Sequence, residues 1–134
     1  MKATQIENLA RQWAQRLDGD TCIDEKVENA VVLMNFTKPA GVQWAFILSA
    51  VQYAKTDTTL GHLAAGPLEH ILGRHGDDYI DRVEAQAVQS EKFERMLTGS
   101  WRYMMNDDVW RRVQALQERA KAKGNTLRRS DSSD

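Results

Sequence analysis

"VQWAFILSAVQYAK", residues 42–55, is the stretch on which the fold turns. Trp44, Ile47, Leu48 and Val51 recur at the spacing of one helical face, while Ala45, Phe46, Ala50 and Tyr53 leave little of the other face polar. A helix apolar nearly all round has to be surrounded. This segment is therefore expected at the centre of a bundle, with the remaining elements packed against it.

Those elements can be read on either side. Ile6, Leu9, Ala10, Trp13, Ala14 and Leu17 form the stripe of an amphipathic helix that Asp18-Gly19-Asp20 stops. Val27, Ala30, Val31 and Met34 make a shorter stripe, ended by Thr37-Lys38-Pro39-Ala40-Gly41. Beyond the central helix, Asp57 reads as the N-cap of a helix carrying Leu60, Leu63 and Ala64.

The stretch "LAAGPLEHILGRHG", residues 63–76, then mixes apolar periodicity with breakers. Pro67 lacks an N–H and disfavours helical geometry at residue 66, where glycine relieves the crowding. Gly66 fits an N-cap, Pro67 the first helical position and Glu69 the third, where a carboxylate suits the helix dipole. Leu68, Ile71 and Leu72 keep the phase of Leu60 and Leu63, so a kink at Gly66-Pro67 is expected more than a sharp corner. Arg74 and His75 suit a helix C-terminus, with Gly76 just beyond it. This capping pattern accounts for Gly66, Pro67, Glu69 and Gly76 without any chemistry.

Asp77 or Asp78 opens a further helix with Tyr79, Ile80, Val83 and Ala87 inward, and Ser90 caps another with Phe93, Met96 and Leu97. That phase runs on through Trp101 and Met104, making Gly99-Ser100 a bend within a longer helix. Asn106-Asp107-Asp108 caps the last helix, whose core stripe is Val109, Val113, Leu116 and Ala120 and whose end is Gly124. No strand-like alternation stands out. The expectation is an all-α fold, a compact bundle of roughly six or seven helices over residues 1–124. The helices could close into one bundle or stack as HEAT-like hairpins, and residues 125–134 read as a flexible tail.

Composition narrows the function classes. A chain of 134 residues with a formal net charge of −1 has one domain's worth of core and no global field toward nucleic acid or anionic lipid. The lone cysteine, Cys22, forbids an intrachain disulfide, and the start "MKATQIENLARQ" does not read as a signal peptide. A soluble, cytoplasmic protein is the expectation.

Candidate chemistry is sparse. His70 and His75 stand five apart and His62 and His70 eight apart, neither of them the spacing of a helical ligand pair. Cys22 sits among Asp18, Asp20, Asp24 and Glu25, which would raise its thiol pKa and make it a poor nucleophile. The same acids lack the spacing of an EF-hand loop and read as a solvated patch that could meet a basic partner. No metal and no cofactor is expected. Beyond Val109 the chain carries a formal +4 against −5 for the rest, with Arg111 and Arg112 beside Trp110. Long cationic stems beside an apolar stripe commonly cover core edges, so nucleic acid is the weaker reading of that segment. Trp110 next to arginines has the composition of an interface hot spot, although a half-buried core position is the commoner one.

The segments "WAFILSAV", "LAAGPLEHILGRHGDDYIDRVEAQA" and "SEKFERMLTGSW…DDVWRRV" together resemble a family of small bacterial domains of unknown function. Its pattern is a Trp-rich helix, an A-G-P-L-E element with H-G shortly after, and a helix with I-D-x-x-E-x-x-A. The matching positions are Trp44, Phe46, Ala65, Gly66, Pro67, Leu68, Glu69, His75, Gly76, Ile80, Asp81, Glu84, Ala87 and Trp110. The resemblance implies a bacterial or phage origin and a compact helical fold, and it brings no activity with it.

Three functional expectations follow. The leading one is a non-catalytic protein-binding module, of the immunity or antitoxin-like inhibitory kind, whose partner is another bacterial or phage protein. The second is a small enzyme or ligand pocket built from Glu69, His75 and Asp81. The third is a nucleic-acid contact through the basic last helix.

Overall fold

The computed structural model describes residues 1–19 and 24–128. Helices α1 (Ala3–Asp18), α2 (Glu25–Thr37) and α3 (Ala40–Tyr53) are followed by a rod of three contiguous parts: α4 (Asp57–Leu63), a π turn (Ala64–Leu68) and α5 (Glu69–Gln89). Helices α6 (Glu91–Leu97) and α7 (Asp107–Ala122) complete the fold, and no strand occurs among the described residues. None of the helices is long and apolar enough to cross a membrane.

The central position of α3 follows from its apolar surface. It packs on α1, α2, α4, the π turn, α5 and α6. Phe46 and Ile47 are fully buried, with Trp13 of α1 edge-on to Phe46 at 5.6 Å. Trp44, half-buried, meets Tyr79 at 5.7 Å and Phe93 at 5.9 Å, so one indole joins α3 to α5 and α6. One continuous apolar core runs through every helix.

Several helix ends are set where local chemistry sets them. Ser90 Oγ accepts from Phe93 N at 3.1 Å and Asn106 Oδ1 from Val109 N at 2.8 Å. Gly124, at φ 72°, ends α7 in a Schellman motif, with Gly124 N donating to Lys121 O and Asn125 N to Ala120 O. At the start of α4, Thr56 is the cap and Asp57 the first helical residue, one position earlier than the sequence suggests.

The rod departs from expectation. Gly66 and Pro67 do not cap a helix start but lie within a π turn, at the point where the sequence places a kink. Pro67 is buried inside the π turn, whose wider winding takes up the ring and its missing donor. A further irregularity lies at His75 (φ −132°, ψ 30°), a kink across which two helices meet, so one helix ends and the next begins close to Gly76 and Asp77, as the sequence suggests. Gly76 also serves packing: a Cβ there would stand 3.0 Å from Val109 Cγ2.

The stretch after α6 also departs. Residues 98–106 form a loop, not a continued helix, and Trp101 (73% exposed) and Met104 (65% exposed) point outward. This loop crosses α5 at Gly73, where a Cβ would meet Tyr103 O at 2.4 Å. Residues 125–128, read from sequence as part of the tail, lie against the body. Leu127 N donates to Thr98 Oγ1 at 3.0 Å, Arg128 N to Asp57 Oδ2 at 2.9 Å, and Asn125 Nδ2 to Glu94 Oε1 at 2.9 Å.

Candidate functional site

A groove separates α2 from the rod. Along α2 it is lined at positions 28, 32, 35 and 36, and along the rod at 62, 65, 66, 69 and 70. Both sets repeat at helical spacing, so two stripes face each other across open space. The groove consists of two hollows of about 230 and 250 Å³ that share Val32, Asn35, Ala65 and Gly66. Tyr103, from the loop that crosses α5, closes one end.

Three of its buried polar atoms lack partners among the described residues. Asn35 is 9% exposed and His70 8%, yet Asn35 Oδ1 and His70 Nε2 have no hydrogen-bond partner, nor has the buried Glu28 Oε2. Buried polar atoms are ordinarily satisfied, so three orphans around one groove call for a reason. Glu69 accepts from Trp101 N at 2.8 Å. Burial nonetheless raises its pKa, against the lowering effect of that bond. Burial lowers the pKa of His70, helped by the nearby charges of Arg74 and His75. The imidazole is therefore neutral at physiological pH, edge-on to Phe36 at 4.6 Å and stacked on Tyr103 at 6.3 Å.

The rim is apolar and fixed. Six of the eight exposed large apolar side chains among the described residues lie on α2 and the 98–106 loop: Val32, Leu33, Phe36, Trp101, Tyr103 and Met104. The loop is tied down on both sides. Gln117 Nε2 donates to Leu97 O at 2.9 Å and Ser100 O at 2.8 Å, Asn106 Nδ2 to Asp77 Oδ1 at 2.9 Å, and Arg102 to Met105 O at 3.1 Å. At its tip Met104 has φ 57°, the left-handed region that non-glycine residues avoid.

The other sequence candidates are dispersed. Asp18 is consumed internally: its carboxylate accepts from Lys55 N, Thr56 N, Thr56 Oγ1 and Thr59 Oγ1 at 2.6 to 3.0 Å. Asp24 caps α2 through Lys26 N at 2.9 Å and faces Arg16 at 3.7 Å. Asp20 and Cys22 lie outside the described residues. Glu69, His75 and Asp81 are not brought together. His75 lines a separate polar hollow with Asp77, Asp78 and Asn106, and Asp81, beyond the kink at His75 from Glu69, holds Arg112.

Arg112 also binds Glu84, with Nε to Oε2 at 3.0 Å, and these two carboxylates raise its already high pKa. Arg111 pairs with Asp108, Lys121 with Glu118 and Lys123 with Glu94, while Trp110 is half-buried on the core. Most cations of α7 are thus engaged within the chain. Asn35, Phe36, Tyr103 and Met104 do not stand out as candidates in the sequence, and His70 does so only as a metal ligand with the wrong spacing. A hint did lie in "VVLMNF", residues 31–36, which holds more apolar residues than one face of a helix can bury.

An all-helical domain with a groove beside a π turn is the class that fold and site define. The chain belongs to the family of unknown function DUF6869, whose sequence profile matches residues 19–121, from the end of α1 through all but the last residue of α7. No curated protein and no solved structure matches the chain.

Proposed function

We propose that this protein is a non-catalytic protein-binding module that docks a partner on the face formed by α2, the π turn and the 98–106 loop. The observation that carries this reading is that six of the eight exposed large apolar side chains among the described residues lie on α2 and the 98–106 loop, and three of them, Val32, Phe36 and Tyr103, line the groove. A rigid apolar surface of this kind favours association because little freedom remains to be lost on binding. The strained backbone at Met104 keeps an exposed methionine at the loop tip, which packing inside the chain does not require.

An inhibitory role of the immunity or antitoxin-like kind in bacterial or phage conflict suits a small helical chain of this design, acting in the cytoplasm on another bacterial or phage protein. This rests on analogy of size and surface. The test is to capture partners from the native host, purify them and titrate them against the wild type and the variants Phe36→Ala and Trp101→Ala. A stoichiometric complex that raises the melting temperature, and that weakens at least roughly tenfold in each variant, supports the reading. Partners indifferent to both substitutions, or no partner, would refute it.

A further inference from the structure

Within that docking face, we infer that the groove between α2 and the π turn seats a Lys or Arg side chain, carried on an apolar-flanked peptide segment of the partner protein. The inference rests on the protein-binding reading and adds the chemistry of what is bound.

Three observations converge on a cation. Glu28 and Glu69 both line the groove, and neither has a basic partner among the ion pairs of the described residues. Asn35 Oδ1 and Glu28 Oε2 are buried acceptors with no donor, and Asn35, nine-tenths buried, lines both hollows. A donor-rich group satisfies such a set, and ammonium or guanidinium is the protein side chain that brings several donors and no acceptor.

Among the described residues no Lys or Arg lines the groove. His70 is held neutral, and Arg74 lies outside, over the Phe36 ring at 5.4 Å from its centroid. The walls suit the stem and the flanks of such a ligand. Ala65 and Gly66 leave the floor open, and the Tyr103 ring and Phe36 offer aromatic surface for a cation and its apolar neighbours. Each hollow, at about 230 to 250 Å³, has room for one long side chain.

The test uses a random peptide library displayed on phage, panned in parallel on the full chain and on Ala65→Trp. Ala65 is exposed and borders both hollows, so the indole fills the groove without entering the core. If Ala65→Trp fails to fold by circular dichroism, Val32→Trp fills the same space from α2. The expected result is enrichment, on the wild type alone, of peptides with Lys or Arg between apolar residues. An enriched peptide should then bind roughly tenfold more weakly to Glu69→Gln or Glu28→Gln, and as weakly when its cation is replaced by citrulline or glutamine. Peptides blocked by Ala65→Trp but lacking a cation would overturn the cationic seat and leave protein docking standing. Peptides that bind the blocked variant equally well, or no enrichment, would overturn the groove as the docking site. The titrations with Phe36→Ala and Trp101→Ala judge protein binding independently of either result.

Discussion

Replacing Gly73 with alanine tests the close crossing of the 98–106 loop over α5, on which the whole docking face depends. The new Cβ would lie 2.4 Å from Tyr103 O, where ordinary contact begins at 3.4 Å, so backbone has to retreat by about 1 Å. Overpacking of this kind costs about 1–3 kcal/mol, and a backbone obstacle belongs at the upper end. Alanine returns about 1 kcal/mol through helix propensity. The net loss is about 2 kcal/mol. For a chain of this size that lowers the melting temperature by roughly 6–12 °C. Gly61→Ala is the matched control, because its Cβ would meet only Leu127 Cδ1, at 4.0 Å. It should stabilise by about 0.5–1 kcal/mol. Urea unfolding followed at 222 nm, with unchanged m-values, measures both. If Gly73→Ala stabilises as Gly61→Ala does, the loop does not cross where the structure puts it.

The remaining predictions concern the polar ties. Asp18→Ala removes four accepted hydrogen bonds, one of them from the fully buried Thr59, and should cost about 2–3 kcal/mol in the same assay. Arg112→Ala unlinks α7 from Asp81 and Glu84, and should cost about 1–2 kcal/mol and lose part of that deficit in high salt. Glu94 is buried with its carboxylate on Asn125 Nδ2 and Lys123 Nζ, and these partners hold its pKa below 4.5. A depressed folded-state value means that its contribution is complete above about pH 4.5 and is lost as pH falls through that lower value. Glu94→Gln should therefore lower stability at neutral pH and flatten the acid limb of the stability curve. An unchanged acid limb would exclude Glu94 as its source.

What the sequence made legible is what local chemistry decides. The caps at Ser90 and Asn106 and the stop at Gly124 are short-range hydrogen-bond problems with few solutions, and α3 is central because a helix without a polar face has nowhere else to go. The misreadings share one cause. Trp101 and Met104 carry a helical period but lie outside the helix, because Ser100 O and Leu97 O are taken by Gln117 from α7 and the chain turns away there. Gly76, beside the kink at His75, is also a contact point for Val109, which local spacing does not reveal. Glu69 looks like a capping acid and instead receives Trp101 N from another element. In each case a partner far along the chain decides, and spacing within a short window does not contain it.

Pro67 shows how the same break in local rules builds the site. A proline within a helix withdraws one donor from the ladder, and a chain free to choose would end the helix there. Here Pro67 and Leu68 are buried, so ending the helix would expose apolar surface. The rod continues through a π turn instead, and such turns recur at functional sites because they displace backbone from its regular path. In this one, Ser100 Oγ approaches Ala64 O at 3.5 Å and Trp101 N binds Glu69, so the loop carrying the exposed aromatics is attached at the irregularity itself. The turn also presents Ala65 and Gly66, the smallest side chains available, to the groove that faces α2. The groove and its rim thus have one origin. A proline kept inside a helix by burial puts small residues and an anchored loop around the same groove.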